Sequence, residues 1–166
     1  MNGLNGTRRL ASPVRLTLAA RLGADIDGAW WPHTGSVANE LPELVGVLHR
    51  SLGEVVDIRV NWSASEGQLD LDSIVTGTRS PTGIKLSRPR LMMVAGRDAN
   101  VKLLVVPCKT SVALGGLVMR CAAAMPVEET VRRSPAFDTA DRVLRIAQLE
   151  SARWLRREQD VPEALR

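Results

Sequence analysis

The sequence predicts a single α+β domain: a mostly antiparallel sheet of about five strands packed by two helices, with a further helix at the C-terminus. Three observations carry that prediction. Val14 to Ala19 and Val55 to Trp62 alternate apolar and polar residues with the period of a half-buried strand. VKLLVVP, at 101–107, is apolar almost throughout, which fits a central strand covered on both faces. Val37 to Leu52 and Val112 to Cys121 repeat apolar residues at helical spacing.

The elements follow in order. Residues 1–13 show no periodicity and read as a loose leader. After the first strand, DIDGAWWPHTGS carries turn chemistry at Asp27-Gly28 and a stop at Pro32. Ser36 caps a helix through Leu52 that Gly53 ends, with Pro42 tolerable only near its start, so Asn39 is an alternative beginning. In VVDIRVNW, Val56, Ile58, Val60 and Trp62 take one face and Asp57, Arg59 and Asn61 the other. Residues 63–82 read as a long loop or as a weak strand around Gln68 to Val75. Ile84 to Val94 reads as a strand interrupted at Pro89, an edge or a bulge, and GRDAN turns the chain into the central strand.

Pro107 stops that strand, and Thr110 or Ser111 caps a helix whose buried side is Val112, Leu114, Leu117, Val118 and Cys121. Gly115 and Gly116 weaken this helix and imply close approach to the sheet. A last helix runs from about Asp138 or Thr139 to about Gln159. No internal repeat is visible, so the expected organisation is a leader over 1–13, an α+β domain over 14–126 and a helical extension over 127–166.

Composition bounds the function. A chain of 166 residues, 45% hydrophobic and 24% charged, buries roughly 70% of its unfolded surface and needs no metal or disulfide to fold. No cofactor is expected. Cys108 and Cys121 form no CxxC pair and read as small buried groups in a reducing cytoplasm. No apolar run approaches the roughly 18 residues of a membrane span, and no signal peptide is recognisable. The formal net charge of +4 rests almost wholly on arginine, since Lys85, Lys102 and Lys109 are the only lysines. Arginine suits phosphate contacts, but a GC-rich genome produces the same bias, so charge alone names no partner.

RLTLAARLGADIDGAWWP, the LPELVGVLH helix, the VDIRVNW strand and LLVVPCKTS entering a helix together resemble an uncharacterised actinobacterial protein family with a GAWWP element after an N-terminal strand and an LLVVP strand before a helix. The likeness spans roughly residues 14–125 and leaves the C-terminal extension outside. It implies an actinobacterial origin and a shared fold, and no reaction or catalytic residue.

Two sets of residues stand out. Trp30 and Trp31 point in different directions if extended, so one is expected to fill the core and the other to cover a groove or meet a partner. With Asp25, Asp27, Arg59 and Trp62 they would form a small-molecule pocket or an active site. The ordinary alternatives are a turn role for Asp27, an ion pair for Asp25 and a solvent face for Asp57, Arg59 and Asn61. The second set is Arg142, Arg145, Arg153, Trp154, Arg156 and Arg157 on the last helix, suited to docking a protein partner, to homo-oligomer formation or to tracking nucleic acid.

The remaining motifs fail on spacing. His33, His49, Cys108 and Cys121 have no zinc pattern, so no metal is expected. The acids around Gly28 miss the calcium-loop template, and VVPCKTS lacks the glycines of a phosphate loop. The preferred expectation is a cytoplasmic, non-enzymatic binding domain acting through protein or nucleic-acid contacts of the basic helix. The alternative is the pocket around DIDGAWWP and VDIRVNW.

Overall fold

The computed structural model describes residues 13–63, Leu71 and 88–160, with side chains through Glu158. Most of the leader, the 63–82 segment apart from Ser63 and Leu71, and residues 84–87 lie outside the described residues. The elements are β1 (Leu16–Leu18), β2 (Gly28–Trp30), α1 (Val37–Leu52), β3 (Val55–Val60), β4 (Arg90–Gly96), β5 (Asn100–Val105), α2 (Val112–Ala122), α3 (Glu129–Arg132) and α4 (Pro135–Asp160).

The fold is α+β. The strands form one five-stranded sheet in the order β1-β2-β5-β4-β3. Every neighbouring pair is antiparallel except β2 and β5, which run parallel. VKLLVVP is the central strand, as its continuous apolar character predicts. The part of the expected Ile84 to Val94 strand that is described, β4, lies between β5 and β3 and not at an edge, and the register shift falls in β3 between Val55 and Asp57. β4 begins at Arg90, just after Pro89, which offers no N–H to a ladder partner. Asn61 closes this end of the β3–β4 pair, its side chain donating to the Pro89 carbonyl at 3.0 Å and accepting from Leu91 N–H at 2.8 Å.

Both faces of the sheet are covered. Leu44, Leu48 and Leu52 of α1 pack on Trp30, Met92, Val94, Val101, Leu103 and Val105. On the opposite face Val118, Met119 and Ala122 of α2, with Ala140, Val143, Ala147 and Trp154 of α4, pack on Ala29, Trp31, Leu91, Leu104 and Val106, together with Leu71. Strand alternation produces the division: 101, 103 and 105 face α1, while 104 and 106 face α2.

Trp30 and Trp31 are therefore both buried, one in each core, at 2% and 6% exposure. The expectation that one of them would reach the surface treats the sheet as having a single covered face. DIDGAWWP is thus more than a turn, because Gly28–Trp30 is a strand buried along its whole length. Glycine is required at position 28: a Cβ there would lie 1.9 Å from the Thr17 carbonyl oxygen of β1.

The helix boundaries follow from their caps. Ser36 stands just before α1 but does not cap it as expected, since its hydroxyl accepts from the Asn39 side-chain amide at 2.7 Å and from no helix N–H; Gly53 ends the helix with φ of 71° and its N–H on the His49 carbonyl at 2.9 Å. Ser111 caps α2, its hydroxyl accepting from Leu114 N–H. Val112, expected in the buried stripe, is instead exposed at the first position of that helix. α4 starts earlier than its apolar stripe suggests. The Ser134 hydroxyl accepts from Phe137 N–H, and Pro135 takes the first helical position, where a missing N–H costs nothing.

Candidate functional site

The register of three strands builds a patch on the α4 side of the sheet. Arg59 of β3 lies opposite Met93 of β4, and Met93 lies opposite Lys102 of β5. Two residues along, Asp57 lies opposite Ala95, and Ala95 opposite Asn100. These two rows of three are the floor of a groove of about 740 Å³, and Leu155 and Glu158 from the last turns of α4 wall one side. The next row on this face, Leu91 and Leu104, is already sealed into the core. The groove is thus where helix cover gives out before the sheet does, and its volume suits a small organic molecule.

Charge in the groove is divided. Arg59 Nε donates to Asp57 Oδ2 at 2.9 Å, and Arg59 Nη1 donates to Glu158 Oε2 at 2.8 Å. Asp57, first by its hydrogen bond and then by its charge, and Glu158 raise the Arg59 pKa above its ordinary value. Both carboxylates thus contact one guanidinium. Lys102 stands across Met93 from it, half-buried, and among the described residues its ammonium has no ion-pair or hydrogen-bond partner. A half-buried cation beside apolar Met93, Ala95 and Leu155 favours an anion with an apolar body.

The other place where α/β sheets bind ligands is already filled. β2 and β5 are parallel neighbours, and the helices that follow them lie on opposite faces, which defines a crevice at the carboxyl ends of the two strands. The Trp31 ring fills the α2 side of it. A Cβ on Gly115 of α2 would lie 2.4 Å from the Trp31 ring, which is the close approach those helix glycines imply. Gly116 meets nothing within 4 Å. On the α1 side, Glu40 of the first helical turn reaches back to the loop after β2, accepting from His33 N–H, Thr34 N–H and the Thr34 hydroxyl at 2.7 to 2.8 Å.

A family model matches residues 15–122, that of the family of unknown function DUF5994. The chain belongs to this family. No curated protein and no solved structure matches it. The segment matched to DUF5994 contains all six floor residues of the groove and ends at the last residue of α2, so Leu155 and Glu158 of α4 lie beyond it.

Within this DUF5994 member the residues singled out by sequence are dispersed. Arg59 alone of the proposed pocket set lines the groove. Trp30 and Trp62 belong to the α1 face, where the Arg90 guanidinium lies 5.1 Å from the Trp62 ring centroid. Asp25 is exposed on the loop before β2. Asp27 is fully buried: Oδ1 accepts from Gly23 and Ala24 N–H at 2.8 and 3.1 Å, and Oδ2 accepts from Lys102 N–H at 2.9 Å.

On α4, Trp154 is buried in the core at 7% exposure, so its ring offers no face to a base. Arg142 pairs with Asp138, Arg145 with Asp141 and Arg157 with Glu150, while Arg153 and Arg156 are exposed. The helix carries as many acids as arginines and is electrically neutral as a whole. Met93, Ala95, Asn100 and Lys102 were missed as site residues. The available signal was Lys102, a charge set inside an otherwise apolar central strand, since such local rule-breaking concentrates at functional positions.

Proposed function

We propose that the protein is a non-catalytic small-molecule-binding domain, and that the groove over Met93 and Lys102 takes a carboxylate with an apolar body. The carrying observation is the half-buried Lys102 ammonium, without a partner among the described residues, on the floor of a groove of about 740 Å³ beside Met93, Ala95 and Leu155. Binding is preferred over reaction because Asp57 and Glu158 are both engaged by Arg59, which leaves neither poised to take a proton. Contacts with a protein or nucleic acid through α4 are the weaker reading, given its balanced charge and its buried tryptophan. Cytoplasmic work is supported by two unbridged cysteines, and among the described residues no helix is long and apolar enough to cross a membrane. The GAWWP resemblance supports an actinobacterial origin.

Hexanoate is a suitable probe, followed through the methyl resonances of labelled methionines. A saturable shift of Met93 that is lost in Lys102→Met supports the assignment. Shifts confined to other methionines, or unchanged in Lys102→Met, refute it.

A further inference from the structure

Among the described residues, β3 is an outer strand of the sheet, paired with β4 on one side and with no strand on the other. It is exposed along most of its length, Val56 at 58% and Val60 at 39%, with the Arg59 and Asp57 side chains at 56% and 51%. One bond fixes the direction of its backbone groups. Asn61 N–H donates to the Leu91 carbonyl of β4 at 3.2 Å. By the alternation of an antiparallel ladder, Arg59 and Asp57 also turn their N–H and C=O groups toward β4, while Ile58 and Val60 turn theirs outward.

We propose that a second copy of this chain pairs antiparallel with this edge, about a twofold axis at Ile58. VDIRV, at 56–60, is self-complementary about that residue. In this register Ile58 of each copy donates to the Ile58 carbonyl of the other, Val56 lies opposite Val60, and Asp57 lies opposite Arg59. Asp57 and Arg59 then occupy the pair positions that exchange no backbone bonds, where strands bring side chains closest, about 4.5 Å between Cα atoms. Within its own chain Arg59 uses Nε toward Asp57 and Nη1 toward Glu158, and a guanidinium has N–H donors beyond those two.

Other registers lose the match. An axis at Asp57 or at Arg59 sets like charges opposite each other, and an axis at Val60 sets Arg59 opposite Asn61. Edge charges and bulges commonly keep sheets apart. Charges of one sign repel any copy of the same edge, but an acid and a base in this order attract the same edge read backwards. The bulge at Val56 shortens the paired run. A six-residue strand so limited makes a small interface, and the dimer is expected to dissociate on dilution. This pairing is independent of the groove being a ligand site.

The test is sedimentation equilibrium of the full chain at low salt over a range of concentrations. It compares the native chain, Asp57→Arg, Arg59→Asp, and an equal mixture of the two variants. Both side chains are exposed, so each variant keeps its fold, which circular dichroism checks. The native chain is expected to approach twice the 18.0 kDa of one copy as its concentration rises. Either variant alone sets like charges opposite each other at both positions, and its association is expected to weaken by about tenfold. The mixture sets acid opposite base at both positions again and is expected to regain the native association. A native chain that stays monomeric up to about 1 mM overturns the proposal. So does a dimer that both substitutions leave unchanged, which places the contact elsewhere, or a mixture that associates no better than either variant alone.

Discussion

Arg15 lays its guanidinium carbon 3.9 Å from the centroid of the Trp31 ring, and its Nε and Nη2 donate to the carbonyls of Trp31 and Pro32 at 3.1 and 2.8 Å. One side chain of β1's approach thus holds down both the indole and the chain leaving β2. Burial lowers the Arg15 pKa, and the charges of Glu40 and Cys108 offset part of that shift. Arg15→Ala is expected to lower unfolding stability by about 2 kcal/mol, and Arg15→Lys by about 1 kcal/mol, because lysine keeps the charge but loses the planar stack and the two-pronged donation. Urea unfolding midpoints measure both. Equal stability of the lysine variant and the native chain contradicts this reading.

Trp31 carries an unusual liability in the same position. Its Nε1 is buried without a hydrogen-bond partner among the described residues. Replacing the ring by phenylalanine removes an unsatisfied donor while keeping most of the packing, so Trp31→Phe is expected to cost less than about 1.5 kcal/mol. Trp31→Ala opens the crevice between β2 and α2 and costs about 3 to 5 kcal/mol. Thermal denaturation of the two variants separates the contributions, and similar losses in both would show that ring volume is not what the site requires.

Asp27 sutures the loop before β2 to the central strand through three backbone N–H groups. Asparagine has one acceptor oxygen where aspartate has two. Asp27→Asn therefore turns an amide toward a backbone N–H and leaves it unpaired, at a cost of about 2 to 3 kcal/mol. The measurement is again the unfolding midpoint, with amide exchange at Lys102 N–H as a local readout. Unchanged protection of that N–H contradicts the assignment.

Glu40 gives a pH dependence with a definite sign. Burial by itself raises its carboxyl, but hydrogen bonds from His33 N–H, the Thr34 hydroxyl and Thr34 N–H outweigh that and hold the pKa below the ordinary value. A carboxyl whose folded pKa is depressed contributes stability above its unfolded pKa of about 4.3, and the contribution fades as pH falls through the folded value. Glu40→Gln should be less stable than the native chain at pH 7, with the gap closing below about pH 4. A gap that stays constant from pH 7 to pH 3 assigns the loss to packing instead.

Much of the fold was legible because its signals are local. Val55–Val60 and the Leu44, Leu48, Leu52 stripe announce their periods, and Ser36, Gly53 and Ser111 announce helix ends. β2 was hidden because its three residues sit between an Asp-Gly turn signal and Pro32, and its pairing partner β5 lies some 75 positions away, as the Asp27 to Lys102 contact shows. The second core follows from that pairing, and no sequence window contains it. The groove was illegible for the same reason. Asp57 and Arg59 are visible as the polar face of a strand, but Lys102 joins them only through the register of β3, β4 and β5.

The most direct measurement is a crystal structure of the protein soaked with 6-bromohexanoate, the bromine located by its anomalous signal. The account predicts the carboxylate within about 3 Å of Lys102 Nζ and the bromine over Met93 and Leu155. Bromine found only at the Trp31 loop or along the arginines of α4, with Lys102 contacting a carboxylate of its own chain, contradicts it.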